Sequence, residues 1–361
     1  MSPTSLALFA GAATLGLSLV LPFAVKPVLV RLGIMDVPTA RSSHERPILR
    51  GLGLAVLIAM LVGYVIALGT AAELAMGVWI PAIVGAGAVL SGLLGLSEDL
   101  RGVSVPVRSA LLLVIAAGSA FALIWAAQLL ADGQSAQLRW VPGLDVTALP
   151  SWALILLGVY GVLFVSSYIN VANFMDGLNG ISGFHGVISG VTFALAGWFF
   201  GASWLVAAGL VLAAGFAGFL PWNLTRPGGF LGDVGSYLLG GATAITSFAA
   251  LVAGVPILAT IGPMIIYFGD VGVTLVKRVR TGHKWDEPHK EHVYQRLQQA
   301  GRTHVHASAI TASFSAAGAG LGLASMFVPP VWWIALLVAG LALVVLYLRV
   351  PAGRTSAASS S

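Results

Sequence analysis

Eleven stretches of mostly apolar residues constrain this chain more than any other feature of its sequence. Each is close to the length of about 20 residues that an α-helix needs to cross a bilayer. The stretches cover residues 4–24, 51–70, 78–96, 109–130, 151–169, 181–200, 203–220, 236–253, 255–276, 307–327 and 331–348. Charged residues make up only 9% of the chain, against roughly 25% in soluble domains, so most of its surface must face lipid. The sequence predicts an all-α, polytopic membrane protein with about eleven transmembrane helices.

The basic residues predict which side of the membrane each loop occupies. If the N-terminus lies outside, the cytosolic segments are 25–50, 97–108, 170–180, 221–235, 277–306 and 349–361. Of the 18 Lys and Arg residues, Arg139 alone falls outside this set, as the positive-inside rule requires. We therefore predict an external N-terminus and a cytosolic C-terminus, and we interpret the net charge of +5 as a topology signal and not as nucleic-acid binding.

The domain organisation is simple. No soluble domain, long linker or internal repeat stands out, so residues 1–350 are predicted to form a single integral membrane domain. The Ser- and Ala-rich segment 351–361 is predicted to be a disordered cytosolic tail. The chain has no cysteine, which excludes thiolate chemistry and cysteine-ligated metals.

Phosphate-binding groups are concentrated in the first cytosolic loop. Arg41, His44 and Arg50 lie there beside Gly51. Arginine offers fork-shaped donors, and glycine lets backbone N–H groups approach an oxyanion. The alternative is an ordinary basic loop that sets topology and contacts anionic lipid.

Adjacent carboxylates mark the second loop, where Glu98 and Asp99 follow the third apolar stretch. Their repulsion favours a compensating cation, and Mg²⁺ prefers such hard oxygen ligands. The alternative is a solvated acidic turn paired with Arg101 and Arg108.

A polar stripe marks the third loop, because Asn170, Asn173, Asp176 and Asn179 recur every three residues. On a helix this spacing keeps neighbouring members of the stripe close together. Amides and a carboxylate at a membrane boundary cost free energy unless they bind something. Hydrogen bonding between helices is the alternative.

The fourth loop is rich in glycine from Gly228 to Gly235 and leads directly into an apolar stretch. A helix N-terminus preceded by glycines is suited to phosphate binding. Asp233 can cap this helix, and it can also ligate a metal.

The fifth loop contains Arg280, His289, Lys290 and His292. The two histidines lie three residues apart, so on a helix they would share a face, and their basic surroundings suit a pyrophosphate. A solvated basic helix is the alternative. Asp270, inside the preceding apolar stretch, is a functional candidate because intramembrane carboxylates are costly.

Taken in order, these loops resemble the polyprenyl-phosphate N-acetylhexosamine-1-phosphate transferase family, glycosyltransferase family 4. The resemblance is greatest to the O-antigen-initiating branch and more distant to the phospho-N-acetylmuramoyl-pentapeptide translocase. Glu98 stands where the family usually has aspartate. The matching segments are Asp36-Val-Pro with Arg41-Ser-Ser-His44 and Arg50-Gly51, Glu98-Asp99, Asn173-Phe-Met-Asp176-Gly177, Phe230-Leu-Gly232-Asp233-Val-Gly235-Ser236, and His289-Lys-Glu-His292-Val-Tyr294-Gln295.

The resemblance implies that an enzyme in the bacterial inner membrane, with its active site facing the cytosol, transfers a sugar-1-phosphate from a UDP-N-acetylhexosamine to undecaprenyl phosphate. It implies Mg²⁺ as cofactor, with Mn²⁺ as a substitute, and allows a homodimer. Glu98, Asp99 and Asp233 would be catalytic, and Asp99, Asp176 and Asp233 would hold the metal. The substrate-binding residues would be Arg41, His44, Arg50, Asn173, Asp176, Asn179, Arg280, His289, Lys290 and His292.

Two other functions compete with this interpretation. A transporter or flippase of nucleotide-linked or lipid-linked sugars would place polar groups near the bilayer midplane, on broken helices. Here the polar groups are predicted to lie at one face. A non-catalytic membrane scaffold is the second alternative, and Glu98 is the residue that suggests it.

Overall fold

The computed structural model describes residues 1–36, 48–71, 78–131, 143–225, 228–283 and 289–351. Arg41, His44 and the predicted tail from residue 352 onward lie outside the described residues. The α-helices of the described part are α1 Pro3–Arg31, α2 Gly53–Ala67, α3 Trp79–Arg101, α4 Val105–Ala131, α5 Ser151–Met175, α6 Ile181–Phe200, α7 Ser203–Leu224, α8 Gly232–Val252, α9 Ile257–Ile261, α10 Ile265–Arg280, α11 Val293–Gln299, α12 His304–Ala324 and α13 Trp333–Arg349. Two short antiparallel strands, β1 Met35–Asp36 and β2 Ile48–Leu49, are the sheet in these ranges.

The prediction of eleven membrane-spanning helices is confirmed, since the described residues contain eleven helices that are long and apolar enough to cross a membrane. One of them, Ile257–Arg280, is broken, because a 3₁₀ turn at Gly262–Met264 separates α9 from α10. Pro263 inside this turn has no N–H to donate, which accounts for the interruption.

Most helices extend past the apolar stretch at the end that carries the predicted site. The third stretch was expected to end near residue 96, whereas α3 continues to Arg101. Likewise α5 continues to Met175, and α8 already begins at Gly232. Helical hydrogen bonding does not require apolar side chains, so hydropathy underestimates these ends. Asp99, Asn173 and Asp233 consequently lie on helix ends and not in flexible loops.

Helix α8 forms the buried centre of the bundle. Every residue of α8 except Asp233 is buried. Glycines allow its neighbours to approach the backbone, because a Cβ added to Gly95 of α3 would lie 2.1 Å from the carbonyl oxygen of Asp233. A Cβ added to Gly240 would lie 2.6 Å from the Cα of Ile169 in α5. Small residues permit this close packing in a bilayer, and it fixes the ends of α3 and α5 against the start of α8.

Residues of all five predicted loops meet at one end of the bundle, which we call the site end, and Asp99 of the second loop contacts both Arg50 and Asp233 there. Arg50 contacts Asp233, and Asn173 also contacts Asp233. The Tyr294 hydroxyl donates to the carbonyl of Phe174, which brings the fifth loop to the same place. That this end faces the cytosol stays a prediction from the distribution of basic residues.

Candidate active site

A tight turn at Gly232 begins α8 and shapes the site. Gly232 has a φ of +77°, and a Cβ there would lie 2.6 Å from a carboxylate oxygen of Asp99. The preceding residues pair with the first loop, since Phe230 N–H donates to Leu49 O at 2.8 Å and Gly53 N–H donates to Leu231 O at 2.8 Å. This pairing carries Arg50 to the start of α8.

The carboxylate of Asp99 occupies the N-terminus of α8. Its two oxygens accept the backbone N–H groups of Asp233 at 3.1 Å and Val234 at 2.9 Å, and Arg50 Nε lies 2.9 Å away. The Asp99 side chain is 1% exposed. The glycine-rich helix start that the sequence predicts to bind phosphate therefore binds an anion of the same chain, in the arrangement by which carboxylates cap helices.

Asp233 lies in the same group but is more accessible, with 20% of its side chain exposed. One carboxylate oxygen accepts a hydrogen bond from Arg50 at 2.5 Å, and the other accepts one from Asn173 Nδ2 at 2.8 Å. Asn173 Nδ2 also donates to Ser236 Oγ at 2.9 Å. Asp233 thus points into the site with a fixed orientation.

Asp176 is the C-cap residue of α5 and belongs to the same electrostatic environment. Its pKa is raised to about 7, mainly by burial and also by the charges of Asp233 and Asp99, while a hydrogen bond from Ser182 and the charge of Arg50 act in the opposite direction. Ser182 Oγ donates to Asp176 at 2.6 Å. We call Asp99, Asp176 and Asp233, with Arg50 and Asn173, the acidic cluster.

Glu98 makes its contacts away from the acidic cluster. Its carboxylate accepts the N–H of Val103 at 2.8 Å and pairs with Arg108 at 3.3 Å. The proposed alternative, an acidic turn paired with basic residues, describes Glu98 but not Asp99. A catalytic role for Glu98 stays a prediction.

The residues of the polar stripe in the third loop make different sets of contacts. Asn173 and Asp176 belong to the acidic cluster, whereas Asn170 Nδ2 donates to Ser166 O within its own helix. Asn179 Nδ2 donates to Asn223 O at 2.7 Å, and its Oδ1 lies 3.5 Å from His304 Nδ1. Asn179 therefore connects the third loop to the ends of α7 and α12.

The segment from His289 to His292, which we call the histidine segment, packs beside the third loop. The rings of His289 and His292 have centroids 4.9 Å apart, but the expected shared helix face is wrong, because α11 begins only at Val293 and His292 is its N-cap. The pKa of His289 is lowered to about 4, mainly by burial and also by the charges of His292 and Arg278. At neutral pH His289 can therefore donate an N–H but carries no charge.

Among the basic residues near the end of α10, Arg278 and not Arg280 is held in place. Arg280, the last residue of α10, is exposed. The Arg278 side chain is 5% exposed and pairs with Glu291 at 2.5 Å. Lys290, predicted to bind substrate, is half-buried. Arg278 was not among the residues predicted from sequence, although its spacing from Asp270 and Thr274 places all three on one helix face.

Ser182 and Asn223 were also missed, and Tyr294 was identified only as part of a family-like segment, with no role predicted for it. Ser182 holds Asp176, Asn223 Oδ1 accepts the N–H of Gly180, and Tyr294 joins the histidine segment to α5. Asn223 and Tyr294 act on residues that are distant in sequence, and Ser182 reaches Asp176 from the start of the next helix, so spacing within one helix gives no signal for these contacts.

Taken together, the fold and the site define a multi-pass membrane protein with an anionic and basic polar centre at one end of its helix bundle. The sequence matches Glycosyl transferase family 4 over residues 81–251. It is 30% identical over 319 residues to the decaprenyl-phosphate N-acetylglucosaminephosphotransferase of Mycobacterium tuberculosis (strain CDC 1551 / Oshkosh), covering 78% of this chain and 74% of that protein.

Two further relatives are similar. The probable undecaprenyl-phosphate N-acetylglucosaminyl 1-phosphate transferase of Bacillus subtilis (strain 168) is 27% identical over 78% of this chain and 74% of that protein. The phospho-N-acetylmuramoyl-pentapeptide-transferase of Enterococcus faecalis (strain ATCC 700802 / V583) is 34% identical over 26% of this chain and 29% of that protein. The chain belongs to glycosyl transferase family 4, as its loops predict, and is a membrane-bound transferase of the sugar-phosphate class.

Proposed function

We propose that this protein transfers an N-acetylhexosamine-1-phosphate from a UDP-sugar to undecaprenyl phosphate at the cytosolic face of a bacterial inner membrane, and so initiates an O-antigen-like polysaccharide. The observation that carries the proposal is the acidic cluster at the start of the buried helix α8. The names of the relatives, which specify polyprenyl phosphates and N-acetylglucosamine, support the choice of acceptor and sugar class.

The chemistry requires two phosphates of like charge to meet. A P–O bond forms between the lipid phosphate and the phosphorus that carries the sugar, the bond to the second phosphate breaks, and UMP leaves with the bonding electrons. Repulsion between the anions is the main obstacle, so catalysis needs positive groups placed where charge develops. Arg50 supplies one such group, and its guanidinium is already oriented by Asp99 and Asp233.

The carboxylates of the acidic cluster are suited to a divalent cation. Asp176 and Asp233 offer hard oxygen ligands, and the influence of each charge on the other is the repulsion that a cation relieves. Asp99 would act mainly through α8 and Arg50, because both its oxygens accept backbone N–H groups. Within the described ranges no group of three or more His, Asp or Glu residues could hold a metal ion, so phosphates and water would complete the shell. Bound Mg²⁺ would screen the phosphate charges.

The donor diphosphate would lie between the acidic cluster and the histidine segment. His289 and His292 lie beside the third loop and would donate to phosphate oxygens, with Lys290 and Arg280 adding positive charge nearby. Arg41 and His44, which lie outside the described residues, keep their predicted role in the same substrate contact.

An apolar cavity offers space for a prenyl chain within the membrane-spanning region. It has a volume of about 460 Å³ and lies between α5, the broken span and the last two helices. Tyr160, Phe268, Gly318 and Leu341 are among its lining residues. Leu341 is 58% exposed, so the cavity opens toward the surrounding lipid.

Purified protein in detergent tests the proposal. We expect UMP release and a diphospholipid, identified by mass spectrometry, when undecaprenyl phosphate and Mg²⁺ are supplied with one member of a panel of UDP-N-acetylhexosamines. Asp233→Asn should abolish the Mg²⁺-dependent release, whereas Asp145→Asn, in the segment predicted to lie outside, should not.

Two results would count against the proposal. A folded protein that makes no lipid product from any donor would contradict the transferase function, and uptake of UDP-sugar into proteoliposomes without UMP release would favour a transporter. Full activity of Asp233→Asn would remove the metal assignment.

A further inference from the structure

A buried carboxylate, Asp270 of α10, lies behind the histidine segment and takes no part in the acidic cluster. Asp270 is 0% exposed. It accepts the N–H of Val293 at 3.0 and 3.2 Å and lies 3.1 Å from His292 Nδ1. The Tyr347 hydroxyl donates to it at 3.1 Å. A buried carboxylate is costly unless its oxygens are hydrogen-bonded in this way.

One face of α10 holds the histidine segment. Asp270, Thr274 and Arg278 follow each other at four-residue spacing, which aligns them on the helix. Thr274 Oγ1 donates to Asp270 at 3.3 Å, and Arg278 pairs with Glu291. Two contacts therefore attach the histidine segment to α10. Asp270 contacts His292, and Arg278 pairs with Glu291, the residue before His292.

The contact with Asp270 determines the chemistry of the His292 ring. A carboxylate only accepts hydrogen bonds, so the proton of the neutral ring must be on Nδ1. Nε2 is then the second polar atom of the neutral ring, where it carries a lone pair and no proton. A carboxylate behind a functional histidine fixes both tautomer and ring orientation in this way.

The same carboxylate connects the site end to α13, the last spanning helix. Most of α13 faces outward, and Tyr347 is its buried residue. The Tyr347 hydroxyl contacts both Asp270 and Thr311, the latter at 3.1 Å. The position of Asp270 is thus supported from α13 as well as from α10.

We propose that Asp270 is a positioning residue, which accepts the Nδ1 proton of His292 so that Nε2 faces the substrate and, once the ring takes up a second proton from solvent beside the phosphate, donates its N–H to a phosphate oxygen, and that Tyr347 supports Asp270. This inference rests on the proposed transferase function. Asp270 would touch no substrate and would act entirely through His292.

A double-mutant cycle in the UMP-release assay tests the inference. Asp270→Asn keeps the shape of the side chain, and kcat/KM per folded protein should fall about 10- to 100-fold, the range typical when the carboxylate partner of a functional histidine is removed. The kcat/KM of His292→Gln should decrease by at least the same factor. In the His292→Gln background, Asp270→Asn should cause no further loss, because its effect passes through the imidazole.

Tyr347→Phe provides a milder variant that removes one hydroxyl from the support of Asp270, and its loss of kcat/KM should be smaller than that of Asp270→Asn. Tyr64→Phe is the matched control, because the Tyr64 hydroxyl is also buried but, among the described residues, has no hydrogen-bond partner. We expect Tyr64→Phe to retain wild-type activity.

A spectroscopic measurement on ¹⁵N-histidine-labelled protein does not depend on activity. At a pH where the ring is neutral, the His292 resonances should show a protonated Nδ1 in the wild type and a mixture of tautomers in Asp270→Asn, with His292→Gln used for assignment. Independent, multiplicative losses in the cycle, or a proton on Nε2 in the wild type, would overturn the inference. An inactive wild type would contradict the proposed function instead and leave the tautomer result valid.

Discussion

The carboxylate of Asp99, at the end of α3, caps the first turn of α8, the turn that carries Asp233. Both of its oxygens accept backbone N–H groups of that turn, at 2.9 and 3.1 Å. Two residues separated in sequence by four spanning helices, α4 to α7, are thereby held in one geometry. The placement of Asp233 depends on Asp99, whichever of them contacts substrate.

Asp99→Asn should destabilise the protein more than Glu98→Gln. An amide has one acceptor oxygen in place of two, so one N–H of α8 would lose its partner in a buried setting, at a cost of about 1–3 kcal/mol. The pair of Glu98 with Arg108 is partly solvated and should contribute about 0–1 kcal/mol. Thermal unfolding in detergent, followed by tryptophan fluorescence, measures both variants. An equal decrease in Tm would contradict the capping role.

Arg50→Lys should impair activity although the charge is kept. The guanidinium reaches Asp99 with Nε and Asp233 with a terminal nitrogen, and a lysine ammonium presents a single point of charge. Loss of one charge-assisted hydrogen bond of roughly 1.4 kcal/mol corresponds to about a tenfold decrease in kcat/KM. The rate of UMP release is compared between Arg50→Lys and the wild type. Arg101→Lys, at the exposed last residue of α3, is the control. Wild-type activity of Arg50→Lys would show that the bridge is dispensable.

Gly95→Ala should distort the site through packing alone. The added methyl group would lie 2.1 Å from the carbonyl oxygen of Asp233, so α3 and α8 must separate. We expect a lower Tm and a strongly reduced rate of UMP release. Gly118→Ala is the matched control, because a Cβ on Gly118, also in a spanning helix, meets nothing within 4 Å. A Gly95→Ala variant with wild-type Tm and activity would contradict the close contact.

The raised pKa of Asp176 predicts that the stability of the protein depends on pH in the absence of divalent cations. Burial raises its pKa to about 7 in the folded protein, above the value of about 3.9 in an unfolded chain. Between these values the folded state binds more protons than the unfolded state, so stability falls as pH rises from about 4 to about 7. The Tm of the wild type should therefore decrease with pH relative to that of Asp176→Asn when both are measured in EDTA.

Mg²⁺ supplies the control for this pH dependence. A cation held by Asp176 favours its ionised form, so saturating Mg²⁺ should raise the Tm of the wild type at the upper end of the pH range and leave Asp176→Asn unchanged. A difference in Tm between the two proteins that does not vary with pH would show that Asp176 titrates normally.

Much of the candidate site could be predicted from sequence, but not the partner of each residue. Asp99, Asn173, Asp176 and Asp233 were identified because polar residues are costly at the end of an apolar stretch, and the structure brings them together. Asn179 has the same spacing signal, yet it contacts Asn223 and His304. Periodicity places a residue on a face of its own helix but does not show which neighbour that face meets.

The sequence by itself determined the number of spanning helices, the predicted side of each loop and the set of polar segments, because hydropathy and charge act locally along the chain. Only the tertiary structure decided that Asp99 caps α8, that Arg278 and not Arg280 is held in place, and that Asp270 lies behind His292. Those contacts depend on how closely helices approach, which glycines such as Gly95 set through the absence of a side chain. Close approach is a property of pairs of helices and cannot be read from either one alone.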